Sequence, residues 1–161
     1  MRTSRNRKSF RMFLQVGAVA VCLILVTANV AHATTYACTP GFWKNHTSEW
    51  VGYSTNTLLT SVFTGVPTEL SGDTFLDALQ YGGGNTLVEK KQILLRAAVA
   101  LLLNVGHPDL GWSFVPLTAQ DVIILTNLGL SWTVPNAVIA LAESFDFVNN
   151  NQLGCPLPLP Q

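Results

Sequence analysis

Apolar residues recur at helical spacing through most of the chain after residue 34, and one segment is apolar on every face. It follows Asn85 or Thr86, either of which suits a helix N-cap. Because a helix that is apolar all round belongs in a protein interior, we predict a central buried helix at about 86–104. Gly106 and Pro108 mark its end. Its apolar positions are Ile93, Leu94, Leu95, Ala97, Ala98, Val99, Ala100, Leu101, Leu102 and Leu103.

Shorter segments with the same spacing flank this helix, and glycine and proline separate them. One begins with a Thr-Ala-Gln-Asp capping box, and the last has a proline in its first turn. Short helices joined by short connections indicate an all-α fold, so we predict a compact helical domain around the central helix. The shorter predicted helices are 42–51, 56–63, 73–79, 118–129 and 135–148.

The first 33 residues have the pattern of an export signal. A basic head precedes an apolar run at 12–30, and Ala31-His32-Ala33 is a small-x-small cleavage pattern. We predict a signal peptide at 1–33 and a mature chain from Thr34. An uncleaved anchor is the alternative, because the run has roughly the 20 residues that span a bilayer. The basic residues are Arg2, Arg5, Arg7, Lys8 and Arg11.

Removal of this signal makes the chain acidic. Of the 9 basic residues 9 − 5 = 4 remain, against 9 acidic residues, a net charge of about −5. Such a domain lacks the basic patch needed for nucleic acid or an anionic membrane, which excludes both as primary partners. Membrane contact is expected only through an uncleaved signal. The four basic residues are Lys44, Lys90, Lys91 and Arg96.

Cysteine usage agrees with export. Cys22 lies in the predicted signal, which leaves Cys38 and Cys155. In an oxidising compartment two such cysteines are expected to pair, and we predict a disulfide between them; two free thiols are the alternative. We place a single helical domain at 34–155 and a proline-rich, extended tail at 156–161.

Several of these segments together resemble a recurring bacterial secreted module that has no established activity. The resemblance implies an exported, cell-surface or extracellular protein, and it carries over no catalytic residue. The matching segments are Cys-Thr-Pro-Gly-Phe-Trp-Lys-Asn-His at 38–46, Trp50, Tyr-Gly-Gly-Gly at 81–84, Ile-Leu-Leu-Arg-Ala-Ala-Val-Ala at 93–100, Asn104, His107-Pro108 and Leu-Gly-Cys-Pro at 153–156.

Four residues could bind a metal ion if their segments pack together. His46 and Glu49 lie one helical turn apart, and His107 and Asp109 lie in the turn after the central helix. The spacing matches neither a His-Glu-x-x-His helix nor a paired Cys/His site, so we expect no cofactor. In the alternative interpretation both histidines form hydrogen bonds with the backbone at helix ends.

Three polar residues are predicted to have structural roles. Arg96 lies within the apolar helix, where a guanidinium needs a carboxylate or several carbonyls to offset desolvation. Lys44 and Asn45 could fix the loop before the first helix by bonding to carbonyls. Glu49, Asp73 and Asp77 are the candidate carboxylates for Arg96.

The sequence contains no complete catalytic, cofactor or nucleic-acid signature. It favours an exported non-catalytic domain that binds an extracellular or cell-envelope partner, or that forms part of the envelope or matrix. Exposed aromatic residues would supply the contact surface, with Tyr53, Trp112 and Trp132 as candidates. The alternative is a secreted hydrolase or metal-binding protein with a site around His46, Glu49, His107 and Asp109.

Overall fold

A computed structural model describes residues 36–110, 117–150 and 153–157. These residues form α-helices and short 3₁₀ turns but no β-strand, which confirms the predicted all-α fold. The predicted signal peptide at 1–33 lies outside the described residues. The helices are α1 Pro40–Asn45, α2 Leu59–Val62, α3 Phe75–Gln80, α4 Leu87–Gly106, α5 Ala119–Ser131 and α6 Pro135–Asn150, and the 3₁₀ turns are Thr47–Glu49, Thr68–Leu70 and Pro108–Leu110.

The central helix is α4, as predicted. Every residue from Ala97 to Asn104 is buried, because other helices cover it on several sides. It packs most extensively against α6 and also against α5, α3 and α1. Thr86 caps it: the Thr86 side chain accepts from the Glu89 N–H, and the Glu89 carboxylate accepts from the Thr86 N–H. The apolar run and the cap together fix where this helix begins.

Two more helices begin with the same reciprocal cap. The predicted box at the start of α5 is present, with Thr118 and Asp121 bonded to each other's N–H. A further box, formed by Thr74 and Asp77, starts α3. The predicted start at residue 73 is two residues too early, because a Ser-Gly-Asp run also suits a helix beginning.

The first helix is shorter than the predicted 42–51. It begins with Thr39 as the cap and ends at Asn45, and His46 leaves the helical region at φ −124° and ψ 58°. The Trp50 indole N–H donates to the Trp43 carbonyl at 2.9 Å. In a longer helix this carbonyl would accept from residue 47, so the Trp50 ring takes the place of the next helical hydrogen bond.

Close packing of α5 depends on Gly129. A Cβ built at this position would lie 2.7 Å from the Cδ2 atoms of both Leu94 and Leu141. The absence of a side chain therefore allows α5 to approach α4 and α6 together.

Among the helices that the structure describes, none is long and apolar enough to cross a membrane.

The first residues of the proline-rich tail pack on the domain, because Leu157 is 7% exposed and belongs to the core cluster. Residues 158–161 of that tail lie outside the described part.

Candidate functional site

The two ends of the described chain meet beside the C-terminal end of α4. The Tyr36 N–H donates to the Leu110 carbonyl at 3.1 Å, and the Ala37 N–H donates to the Gly154 carbonyl at 3.2 Å. The next residue, Cys38, is fully buried and bonds to α4 itself. The N-terminal segment is thus held by three different parts of the chain.

A disulfide joins these ends, which confirms the predicted pairing of Cys38 with Cys155. The two Cα atoms are 4.5 Å apart and 117 residues apart in sequence. Closing a loop of this length removes up to about 5 kcal/mol of denatured-state chain entropy in the simplest model. The bond therefore opposes fraying of both termini at once.

Asn104 is the centre of a buried hydrogen-bond network beneath the disulfide. It is fully buried. Its Oδ1 accepts from the Cys38 N–H at 2.8 Å and from the Trp43 indole N–H at 3.1 Å. Its Nδ2 donates to the Cys38 carbonyl at 3.0 Å and to Asn149 Oδ1 at 2.8 Å. The side chain therefore makes all four bonds open to an amide.

The network extends to α6 and to an aromatic cluster. Asn149 is 1% exposed, and its Nδ2 donates to the Ala97 carbonyl on α4 at 3.0 Å. The Trp43 ring is fully buried and lies 5.9 Å from the His107 ring between centroids. Throughout the described residues, every buried side-chain nitrogen or oxygen has a hydrogen-bond partner. This region is polar inside yet fully satisfied, which is the condition for a stabilising buried network.

His46 interacts with its own helix. Its Nδ1 lies 3.0 Å from the Phe42 carbonyl, and its ring stacks on the Phe42 ring with centroids 4.1 Å apart. Because a carbonyl only accepts, Nδ1 carries the hydrogen in this bond. The arrangement matches the alternative that histidine bonds the backbone at a helix end.

Of the other three candidate metal ligands, His107 and Asp109 contact each other, and Glu49 has a different partner. His107 is 6% exposed, and its Nδ1 accepts from the Asp109 N–H at 3.3 Å; the Asp109 carboxylate lies 3.9 Å from the same atom. Glu49 accepts from the Ser48 hydroxyl at 3.1 Å. No group of three or more histidine, cysteine or acidic side chains suited to a metal ion occurs within the described ranges.

A cleft of about 340 Å³ opens between α1, α3, α4 and α6. Its polar lining combines two cations, one carboxyl, two amides and a tyrosine. These residues are Lys44, Arg96, Asp146, Gln80, Asn150 and Tyr81. The cleft gathers residues from helices that are far apart in the sequence.

Two of the three residues predicted to have structural roles, Arg96 and Asn45, bond to backbone carbonyls. Arg96 Nη1 donates to the Tyr81 carbonyl at 3.0 Å, so a carbonyl rather than a carboxylate is its hydrogen-bond partner. Asn45 Nδ2 donates to the Gly41 carbonyl of its own helix at 2.9 Å. Lys44 is exposed at the rim of the cleft.

The proposed carboxylate partners of Arg96 are engaged elsewhere. Asp73 Oδ2 accepts from the Tyr81 hydroxyl at 2.6 Å. Asp77 accepts from the Thr74 hydroxyl at 2.6 Å in the α3 cap. Burial raises the pKa of Tyr81, and the bond to Asp73 raises it further. Asp73 therefore acts on the cleft by holding the Tyr81 ring in place.

Asp146 is the carboxyl that faces Arg96 in the cleft. Burial raises the pKa of Asp146, the charge of Arg96 lowers it, and the charge of Glu143 raises it again. The pKa of Asp146 is raised overall, because desolvation of the carboxylate is the largest of these effects. The interaction between Asp146 and Arg96 thus acts through space, at more than ion-pair distance.

Comparisons of the chain with models of protein families, with curated proteins and with solved structures give no match.

Sequence reasoning did not identify three of the residues that organise the site. Asn104 and Asn149 each stand at the end of an apolar helix, where asparagine is typical of a helix end. Asp146 follows the apolar positions of α6 and has the pattern of a surface residue. A signal was present for Asn104, because it directly follows an uninterrupted apolar run at 97–103.

Two of the three predicted contact aromatics, Tyr53 and Trp132, are partly buried. The Tyr53 ring packs 5.0 Å from the Phe75 ring, and burial raises the pKa of Tyr53. Trp132 is half-buried against the core. Trp112 lies outside the described residues. Among the described residues, the most exposed large apolar side chains are Ile124, Leu128, Val134, Phe147 and Leu153.

Proposed function

We propose that the protein is an exported domain that acts outside the cytosol, at the cell surface or in the extracellular space, by binding or by forming part of the envelope or matrix, and not by catalysis. The observation that carries this proposal is the disulfide between Cys38 and Cys155. Structural disulfides form and persist in oxidising compartments. The bond joins the first and last segments of the domain, and we expect it to form in such an environment.

The Nδ1 atoms of the two histidines after the predicted signal are engaged in local contacts, which agrees with a structural role. Histidine is the most frequent general base, and that role needs a ring nitrogen directed at a substrate. His46 is bonded to and stacked on its own helix, and His107 Nδ1 accepts from a backbone N–H. Both side chains contribute to local structure in the present fold.

The basic head, apolar run and small-x-small pattern of the first 33 residues also support export. The resemblance of the 38–46 segment and the closing Leu-Gly-Cys-Pro to a bacterial secreted module agrees with it. The targeting pattern at 1–33 and the disulfide are independent of each other, since one is an export signal and the other a cross-link, whereas the resemblance includes both cysteines.

Export is tested by expressing the full chain in a bacterial host and analysing the extracellular and periplasmic fractions by intact-mass spectrometry. We expect a protein that begins at Thr34 and whose mass changes on alkylation only after reduction. A cytosolic protein that begins at Met1 and is alkylated without reductant would contradict the proposal.

Binding and catalysis are separated by incubating the purified protein with isolated cell envelopes and secreted polysaccharide. We expect the protein to sediment with one of these fractions without releasing soluble product. Product release that is abolished in His107→Ala and retained in Asn127→Ala, a surface variant, would favour the secreted hydrolase instead.

A further inference from the structure

The cleft concentrates the positive charge of an acidic domain. After the predicted signal the chain has four basic residues and nine acidic residues, yet Lys44 and Arg96 both line this one cleft. The other two, Lys90 and Lys91, lie in the early turns of α4 and do not line it. Half of the positive charge of the domain is thus directed at one concave surface.

Neither cation of the cleft has an ion-pair partner in the part of the chain that the structure describes. No carboxylate oxygen lies within 4.0 Å of Arg96 or Lys44 there. Arg96 uses one N–H for the Tyr81 carbonyl, and a guanidinium has five. Four donors of a half-buried, permanently charged group therefore remain for water or for a ligand.

Asp146 and two amides complete the lining. The Asp146 carboxylate is half-buried and has no hydrogen-bond donor among the described residues, since Asn150 Nδ2 donates to the Asp146 backbone carbonyl instead. Gln80 and Asn150 add amide groups that can both donate and accept. These groups suit the hydroxyls of a ligand, which also donate and accept.

We propose that this cleft binds a monoanionic ligand that has a carboxylate next to hydroxyl groups, which is the chemistry of a uronic acid unit. The planar guanidinium of Arg96 matches a carboxylate with two parallel hydrogen bonds, and the Lys44 ammonium adds a second positive charge. Asp146, Gln80 and Asn150 bind the hydroxyls. The inference rests on the binding role proposed above and names its ligand class.

Size and charge favour this class over other anions. A cleft of about 340 Å³ is at the lower end of small-molecule sites, which suits one or two sugar rings. With Asp146 ionised the three charged groups sum to +1, which complements one carboxylate. A phosphate dianion would meet stronger repulsion from Asp146 than a monoanion does.

The test is calorimetric titration of the purified, oxidised mature protein with glucuronic acid, a galacturonic acid trimer, glucose and inorganic phosphate. We expect one saturable site for the uronic acids and no binding of glucose. Equal affinity for monomer and trimer would indicate a free sugar acid as the ligand, and tighter binding of the trimer would indicate a polymer segment; both support the proposal.

Two substitutions locate the site, with thermal unfolding measured for each variant. Lys44→Gln should weaken uronic acid binding about threefold to fivefold, as expected for an exposed ion pair, whereas Lys91→Gln, the matched control, should leave it unchanged. Arg96→Lys keeps the positive charge but cannot form two parallel hydrogen bonds with a carboxylate. We therefore expect about tenfold weaker binding of the uronic acid.

Equal binding of glucose, binding of phosphate alone, or the same loss in Lys91→Gln as in Lys44→Gln would overturn the ligand assignment. Lys44 is exposed, so its variant remains informative even if Arg96→Lys does not fold. Because the titration uses purified protein, failure here leaves the export proposal to its own test.

Discussion

Asn104 and Arg96 are both polar residues on the same apolar helix, 104 − 96 = 8 positions apart, and their surroundings differ completely. Asn104 is fully buried and makes four hydrogen bonds to Cys38, Trp43 and Asn149. Arg96 is half-buried and makes one, to the Tyr81 carbonyl. The comparison separates a polar group that the fold itself satisfies from one whose bonding capacity is left open toward a cleft.

This difference distinguishes architecture from function in a chain without a catalytic motif. A buried polar group that makes all its possible hydrogen bonds within the protein has no donor or acceptor left for a ligand. Its removal destabilises the fold, because its buried partners are left without a hydrogen bond. A charged group with one bond out of five retains that capacity. The region of Asn104 therefore stabilises the fold, and the cleft of Arg96 is the proposed binding site.

The largest expected effect is on stability, from Asn104→Ala. The substitution leaves the Cys38 N–H, the Cys38 carbonyl and the Trp43 indole N–H buried without a partner. At about 1 to 3 kcal/mol for each orphaned group, we expect a loss of at least 3 kcal/mol in the free energy of unfolding, measured by urea denaturation.

Asn127→Ala is the matched control for this change. Asn127 also accepts a long-range bond, from the Thr64 N–H at 2.8 Å, but it lies at the surface, where water can replace it. We expect a loss below about 1 kcal/mol. Equal losses of unfolding free energy in the two variants would show that burial of the Asn104 network does not add to stability.

Removal of the disulfide should have the next largest effect. The double variant Cys38→Ala and Cys155→Ala releases a link across 117 residues, and we expect a loss of about 2 to 5 kcal/mol. Amide hydrogen exchange should accelerate most at Tyr36 and Ala37, which bond beside the link. Acceleration spread evenly over α3 and the cleft would mean that the disulfide does not act mainly on the chain ends.

Arg96→Met should change stability much less than the substitution of Asn104. It removes one hydrogen bond to a carbonyl at the edge of a cleft, so we expect a loss of about 1 kcal/mol or less by urea denaturation. Lys91→Met is the control for loss of a positive charge on the same helix. A loss as large as that of Asn104→Ala would place Arg96 with the architectural residues.

The smallest expected effect is a pH dependence with a definite sign. Burial raises the pKa of Asp146, so the folded state binds its proton more tightly than the unfolded state. Its contribution to stability is complete below the unfolded pKa near 3.8 and is lost as the pH rises through the folded pKa. Asp146→Asn should therefore gain stability at neutral pH, by less than about 1 kcal/mol after solvent screening.

Asp77 provides the opposite sign. Hydrogen bonds from the Thr74 side chain and backbone lower the pKa of Asp77, so its contribution is present above the unfolded pKa and is lost as the pH falls through the folded one. Asp77→Asn should lose stability at neutral pH and converge with the parent in acid. Urea denaturation between pH 3 and 7 measures both variants; parallel profiles for the two would refute the assignment.

The helices and their order could be predicted from the sequence because their signals are local. The cap at Thr86, the apolar run behind it and the Gly106 and Pro108 stop all lie within or beside one helix. The predicted end of α1 is too late, because the Trp50 indole N–H, seven residues along the chain, donates to the Trp43 carbonyl in place of a helical N–H. No helical periodicity describes such a side-chain bond.

The disulfide could be predicted from the sequence, whereas the cleft could not. Two remaining cysteines leave one possible pairing, so the link between Cys38 and Cys155 needed no knowledge of the fold. The cleft unites Lys44 with Asp146, which are 146 − 44 = 102 residues apart, and only the packing of α1 and α6 on α4 brings them together. Patterns within single helices do not indicate that Lys44 and Asp146 line the same cleft.

The central claim is that the two chain ends are closed onto α4 by the disulfide and by Asn104. It is tested most directly by native-state hydrogen exchange of the Cys38 amide and the Trp43 indole in the oxidised protein. Both hydrogens bond to the fully buried Asn104, so they should exchange only through global unfolding, with a protection free energy equal to that from urea denaturation. Exchange of either one at the rate of the exposed Thr64 amide would contradict the account.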